Sequence, residues 1–222
     1  MVWSSQTGVR LVETVTEGRP VRCSGPTGSQ LVHVDPGASD PWGADASVPV
    51  MLIESADRAQ YEAINAIYGH HVVAGFATFD EEPPGLADRL DWFEQFTPAG
   101  PHQLRVATEN GQVLGYACSQ PYRTHPAFKR TVEFSVYLHP AAVGRGLGRL
   151  LYDDLITRVA AEGVRSVVTG VALPNDASVA LHRSCGFREV GTFRNYAEKH
   201  GRTISSVWFQ LELTANHGRC DR

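Results

Sequence analysis

Cysteine is scarce and scattered: the 222-residue chain holds four, Cys23, Cys118, Cys185 and Cys220, with no Cys-x-x-Cys pair. That spacing fits neither a zinc ribbon nor a disulfide scaffold and predicts free thiols. The nine histidines are dispersed as well, and the neighbours His70 and His71 cannot form an i, i+4 ligand face by themselves. No metal is expected. Basic residues show no excess, since 20 Lys and Arg stand against 24 Asp and Glu for a net charge of −4. A general nucleic-acid binder would be basic, so nucleic acid is not an expected partner. No apolar run is long enough to span a bilayer, and the N-terminus lacks the charged-then-apolar order of a signal peptide. These absences predict a cytoplasmic protein with no membrane partner. What remains, 42% hydrophobic residues, suffices for one sizeable core and one catalytic domain.

Residues 1–48 differ from the rest. Stretches such as Asp35-Pro36-Gly37-Ala38-Ser39-Asp40-Pro41-Trp42-Gly43 sustain neither helix nor strand, which predicts a poorly ordered arm. Two alternating runs within it, Val9 to Val15 and Pro20 to Cys23 around Glu17-Gly18, form a candidate hairpin. Globular patterning begins at Met51, where we expect the functional protein to start. It ends near residue 213, leaving 214–222 as a tail.

Within 51–213 the pattern reads strand, helix, helix, then strands. Leu52-Ile53 is a short strand, and Asp57 caps a helix bearing Tyr61, Ile64, Ile67 and Tyr68 that Gly69 should end. A connecting segment through Pro84 precedes a second helix carrying Leu86, Leu90, Trp92, Phe93 and Phe96, stopped by Pro98. Runs over 103–108 and 113–119 flank Asn110-Gly111, a strong hairpin signal. From Thr131 to Leu138 residues alternate, with Val132, Phe134, Val136 and Leu138 on one face and Glu133, Ser135 and Tyr137 on the other. Leu147, Leu150, Leu151, Leu155 and Val159 then recur at helical spacing. Ser166 to Leu173 is a strand, Asn175 opens a short helix that Gly186 terminates, and a last hairpin turns about 199–202. This order predicts an α+β (mixed α/β) fold, a central mixed sheet flanked by helices.

Gly144, Gly146 and Gly148 fall between a strand and the first turn of a helix, where unpaired N–H groups and the positive dipole end attract anions. A glycine-rich turn that only reverses the chain would look the same. The spacing is neither a P-loop nor a dinucleotide fingerprint. The run Val143-Gly144-Arg145-Gly146-Leu147-Gly148 resembles motif A of the GNAT superfamily of acetyl-CoA-dependent N-acetyltransferases, with Val143 where the family has Gln or Arg. The order of elements over 51–213 is that of the GNAT fold. The resemblance implies that Tyr137, Leu138, Arg145, Gly146, Gly148, Arg149 and Asn175 line acetyl-CoA. It further implies that the strands at 131–139 and 166–173 splay to admit the pantetheine.

Acetyl transfer to an amine needs a base for the ammonium and a proton for the leaving thiolate. Glu133, on the polar strand face, is a candidate base if burial raises its pKa; alone, such a carboxylate is more often a salt-bridge partner. His182, on the helix after Asn175, can carry protons at neutral pH, though a lone helical His is more often a packing residue. Thr131 to Tyr137, Leu173 to His182 and Lys199-His200-Gly201 together resemble the signature stretches of phosphinothricin N-acetyltransferases. That likeness implies catalytic roles for both Glu133 and His182, without saying which takes the proton. It also implies an acceptor pocket at Phe79, Arg123, His125, Phe128 and Tyr137, and a homodimer with Trp208 of the last hairpin as an exposed-edge candidate. Three positions depart: His125 replaces the usual Arg, Phe128 the usual Tyr, and Thr203 the usual Trp. Fewer anion donors predict weaker phosphinothricin binding and leave methionine sulfone, methionine sulfoximine or another small amine as the acceptor. A non-catalytic acyl-CoA sensor, or an enzyme for peptide N-termini, is the alternative.

Overall fold

The computed structural model describes residues 51–213. The expected arm, its hairpin and the tail lie outside the described residues. The sheet has seven strands: β1 (Met51–Ser55), β2 (Leu104–Glu109), β3 (Gln112–Pro121), β4 (Thr131–Leu138), β5 (Ser166–Leu173), β6 (Arg188–Lys199) and β7 (Arg202–Glu212), in the spatial order β1-β2-β3-β4-β5-β7-β6. All pairs are antiparallel except β4 with β5. Among the described residues four α-helices accompany it: α1 (Tyr61–Ala74), α2 (Leu90–Glu94), α3 (Leu147–Ala161) and α4 (Asp176–Ser184).

The crossover from β4 to β5 is α3, whose Leu151, Leu155 and Val159 pack on Ala107, Ala117, Val132 and Phe134 of one sheet face. The opposite face takes α1, with Ile64 and Ile67 against Val106, Tyr116 and Cys118. Covered on both sides, β2 and β3 are buried almost throughout. Asn110 and Gly111 both take positive φ, 51° and 80°, as the tight β2–β3 turn requires.

Three expectations are corrected. Gly69 does not end α1, which runs to Ala74; a Cβ at Gly69 would stand 3.3 Å from the Cβ of Pro83, so glycine there admits a neighbouring segment. The second helix is confined to Leu90–Glu94, and Leu86 lies outside it and exposed. Trp208 is not on an edge: β7 sits between β5 and β6, and the Trp208 ring would lie 3.1 Å from a Cβ at Gly170. The edge strand on that side of the sheet is β6, whose Val190, Phe193 and Tyr196 are exposed.

The ladder between β4 and β5 is short. Only Thr131–Glu133 pair with Ser166–Val168, whereas β4 stays paired with β3 as far as Leu138 and β5 with β7 as far as Leu173. Past Glu133 the two strands part, so the sheet opens into a V, as the resemblance implied. On the β3 side the register is held at Gly115 opposite Leu138, where a Cβ would meet the Tyr137 carbonyl oxygen at 2.9 Å and Leu138 Cδ2 at 2.5 Å. Gly115→Ala is therefore expected to cost about 1–3 kcal/mol through overpacking, read as a lower Tm in thermal melts.

Candidate active site

Where β4 and β5 part, a slot of about 60 Å3 lies between Phe134–Tyr137 and Thr169–Ala172 and is lined as well by Asn175, Ser178 and His182. Beyond β4 on the α1 face lies a second cavity of about 300 Å3, lined by Tyr68, Asp80, Pro84, Arg89, Trp92, Cys118, Gln120, Ser135 and Tyr137. Ser135 and Tyr137 line both. A larger depression of about 600 Å3 near His70, Gln112 and His139 shares no lining residue with either.

In the loop between β4 and α3, Gly144 and Gly146 take left-handed φ of 82° and 79°, and nothing stands within 4 Å of a Cβ built on either. Gly146 is the N-cap of α3, and the N–H groups of a first helical turn have no acceptor inside the helix. An open, positively polarised cradle results, which suits a diphosphate. Gly148 serves differently: its Cβ would lie 3.0 Å from Leu181, so it lets α3 close on α4. Arg145 is turned to Glu109 in a bidentate pair at 2.5 and 3.2 Å, and Arg149 to Asp153 and the Ser184 carbonyl. Asn175 accepts the Ser178 N–H at 3.1 Å as the cap of α4 and lines the slot. The Leu138 carbonyl accepts from His71 Nε2 at 2.8 Å.

His182 is buried, stacked on Phe209 and edge-on to Phe187 and Tyr152. Its Nδ1 lies 2.7 Å from the Ser178 carbonyl and must carry the proton, so its Nε2, 3.0 Å from the Tyr152 hydroxyl, accepts. Burial pushes its pKa below the ordinary histidine value, which keeps the ring neutral at pH 7. Tyr152 also lines the slot.

Glu133 occupies the other face of β4. Its partner in the β3 register is Gln120, a cavity residue, and Ser135 follows two places on along the same face. Burial raises the Glu133 pKa above the ordinary carboxylate value, and it takes part in none of the ion pairs among the described residues. Glu133 and His182 therefore do not touch: the sheet stands between them, opened only by the splay.

Of the expected acceptor residues, Tyr137 alone lines the cavity. Phe79 is 49% exposed and edge-on to Tyr196. Arg123 lies over Tyr122 and Phe128, His125 accepts the Ala127 N–H as a cap, and Arg123, His125 and Phe128 are not among the residues lining that cavity. Sequence reasoning missed Arg89, Tyr152 and Asp80, because no local spacing ties them to the site.

The family profile described as "Acetyltransferase (GNAT) family" matches residues 59–187. The chain belongs to the GNAT acetyltransferase family. Among its relatives, a "Phosphinothricin N-acetyltransferase" of Streptomyces coelicolor is 44% identical over 149 residues, 66% of this chain and 87% of that protein. A Salmonella typhimurium "L-methionine sulfoximine/L-methionine sulfone acetyltransferase" is 37% identical over 163 residues, 73% of this chain and 95% of that one. A solved GNAT superfamily phosphinothricin acetyltransferase from Sinorhizobium meliloti, in complex with AcCoA, superposes with a TM-score of 0.70 at 33% identity, over 73% of this chain and 88% of its own. This GNAT chain is thus an acetyltransferase, phosphinothricin acetyltransferase-like in sequence and fold. Among the described residues no helix is long and apolar enough to cross a membrane, and no cluster of His, Cys, Asp and Glu could hold a metal ion.

Proposed function

We propose that this GNAT enzyme transfers an acetyl group from acetyl-CoA to the α-amine of a small amino-acid analogue of the phosphinothricin and methionine sulfone or sulfoximine class, by direct attack on the thioester. The observation that carries the reading is the shared wall: Ser135 and Tyr137 border both the slot between the splayed strands and the cavity on the α1 face. A donor lying in the slot and an acceptor in the cavity meet there across one strand. The loop at Gly144 and Gly146 and the N-terminus of α3 would hold the diphosphate, and the parted edges of β4 and β5 offer backbone groups that they do not give each other. When bound, acetyl-CoA supplies a thioester carbon open to attack by a free amine.

The two faces divide the proton work. Glu133, on the acceptor face, takes the proton of the incoming ammonium, for which a raised pKa suits a carboxylate working near neutrality. On the slot face the Tyr152 O–H, held by the neutral His182 Nε2, is placed to turn to the departing sulfur as a hydrogen-bond donor, and the thiolate then takes its proton from solvent. His182→Ala is expected to lower kcat by roughly 10²-fold, the low end of the range for groups that handle protons, with KM for the acceptor little changed.

Free-thiol release from acetyl-CoA, measured over a panel of amino acids, methionine sulfone, methionine sulfoximine and phosphinothricin, tests the reading. Turnover with the sulfone or sulfoximine is the expected result. Tight cofactor binding with no amine acetylated would overturn it in favour of a sensor. The reading includes a cytoplasmic homodimer acting on small molecules and not on nucleic acid, in keeping with the net charge of −4 and the exposed Val190, Phe193 and Tyr196 on the β6 edge.

A further inference from the structure

Arg89 is an anomaly among the charged residues. It is 8% exposed, yet it takes part in none of the ion pairs among the described residues. A cation so placed is costly unless an anion meets it. Its guanidinium lies 3.6 Å from the centre of the Tyr68 ring and 3.9 Å from that of Trp92. The aromatic contacts fix the group and leave recognition to its N–H edge. Along that edge Nη2 donates to the Tyr116 hydroxyl at 3.2 Å, while Nη1 is buried without a hydrogen-bond partner. Arg89 lines the 300 Å3 cavity beside Ser135 and Tyr137. The carboxylate in the same wall, Asp80, accepts from the Tyr68 hydroxyl at 2.6 Å and does not pair with Arg89.

We propose that Arg89 is the specificity anchor of the acceptor, its unmet N–H edge binding the α-carboxylate of the amino acid whose amine is acetylated. The inference rests on the acetyl-transfer reading above and names how that site selects its substrate. An α-carboxylate is the anion that every amino-acid acceptor carries whatever its side chain, and a guanidinium edge matches its planar pair of oxygens. Tyr68 and Trp92 hold the guanidinium in place before substrate arrives, so little ordering is left for binding to bring about.

The experiment compares L-methionine sulfone with its primary amide, and phosphinothricin with its α-carboxamide, as acceptors for wild type, Arg89→Gln and Arg89→Lys, following thiol release. Wild type should prefer each acid over its amide by roughly 10- to 100-fold in kcat/KM, the range expected for a charged hydrogen-bonded contact. In Arg89→Gln that preference should collapse through a higher KM for the acid, with KM for acetyl-CoA unchanged, and Arg89→Lys should restore part of it. Comparing the acid-to-amide ratio between enzymes cancels the amide's larger fraction of free amine. It also separates carboxylate recognition from any loss of packing against Tyr68 and Trp92, which would slow both acceptors alike. A wild type that acetylates acid and amide equally overturns the anchor while leaving acetyl transfer standing. So does an Arg89→Gln variant that keeps the preference or lowers both acceptors equally. An Arg89→Gln variant that loses phosphinothricin and its carboxamide but keeps methionine sulfone would place the side-chain phosphinate at Arg89 and refute the carboxylate. A wild type that acetylates no acceptor refutes the underlying reading and the anchor together.

Discussion

Glu133→Gln is expected to lower kcat/KM for the acceptor by roughly 10²- to 10⁴-fold, the range for removal of a general base, with KM for acetyl-CoA unchanged. Gln keeps the shape and cannot take a proton. The pH profile gives the sharper test. Burial holds the Glu133 carboxyl above its ordinary value of 4.5, so wild-type activity should fall on the acid side with an inflection above that value, and the variant should lose that limb. Stability should move the other way. A carboxyl whose folded pKa is raised binds more protons folded than unfolded between 4.5 and its folded pKa, so its contribution to stability declines as pH rises through that window. The Gln variant escapes the decline and should melt at a higher temperature than wild type at pH 8, with the gap closing at pH 4. A variant with activity within a few-fold of wild type would remove Glu133 from the mechanism.

The strands and helices around the splay were legible because their periods are unmixed. Thr131–Leu138 and Ser166–Leu173 stand at the expected bounds, and α3 runs from Leu147 as its leucine spacing required. The glycine loop could be read as an anion cradle, although only the structure separates Gly144 and Gly146, with left-handed φ, from the packing glycine Gly148. The extent of pairing between β4 and β5 could not be read, since alternation records which face a residue occupies and not how far a ladder runs. Gly69 misled for a related reason: in one dimension a helix stop and a close approach by Pro83 look alike. Motif position points to Arg123, His125 and Phe128 for the acceptor, and their contacts with one another within one loop could not be read from it. Arg89, the residue before α2, and Tyr152 within α3 read as ordinary surface and core, and their chemistry emerges only from contacts across the chain.

Lys199 shows the same dependence on long-range contact, and its replacement should have the largest effect on stability. Its side chain is fully buried, and its Nζ donates to the carbonyls of Val72, Gly75 and Thr78 at 2.7, 2.8 and 3.2 Å. These acceptors lie at the C-terminal end of α1 and just beyond it, where carbonyls lack helical partners and the dipole favours a cation. The neighbouring His200 N–H donates to Glu81 at 2.7 Å, so the β6–β7 turn clamps the segment that carries Asp80 and Pro84 into the cavity wall. Lys199→Met fills similar space and supplies no donor. Leaving buried carbonyls without partners should cost about 2–5 kcal/mol, lowering Tm by roughly 5–15 °C in a domain of this size. Because the clamp bears on the acceptor wall and not on the glycine loop, KM for the acceptor should rise while KM for acetyl-CoA holds. Steady-state kinetics below the variant's melting temperature would check this, and equal increases in both KM values would mean that Lys199 supports the fold as a whole without shaping the acceptor cavity in particular.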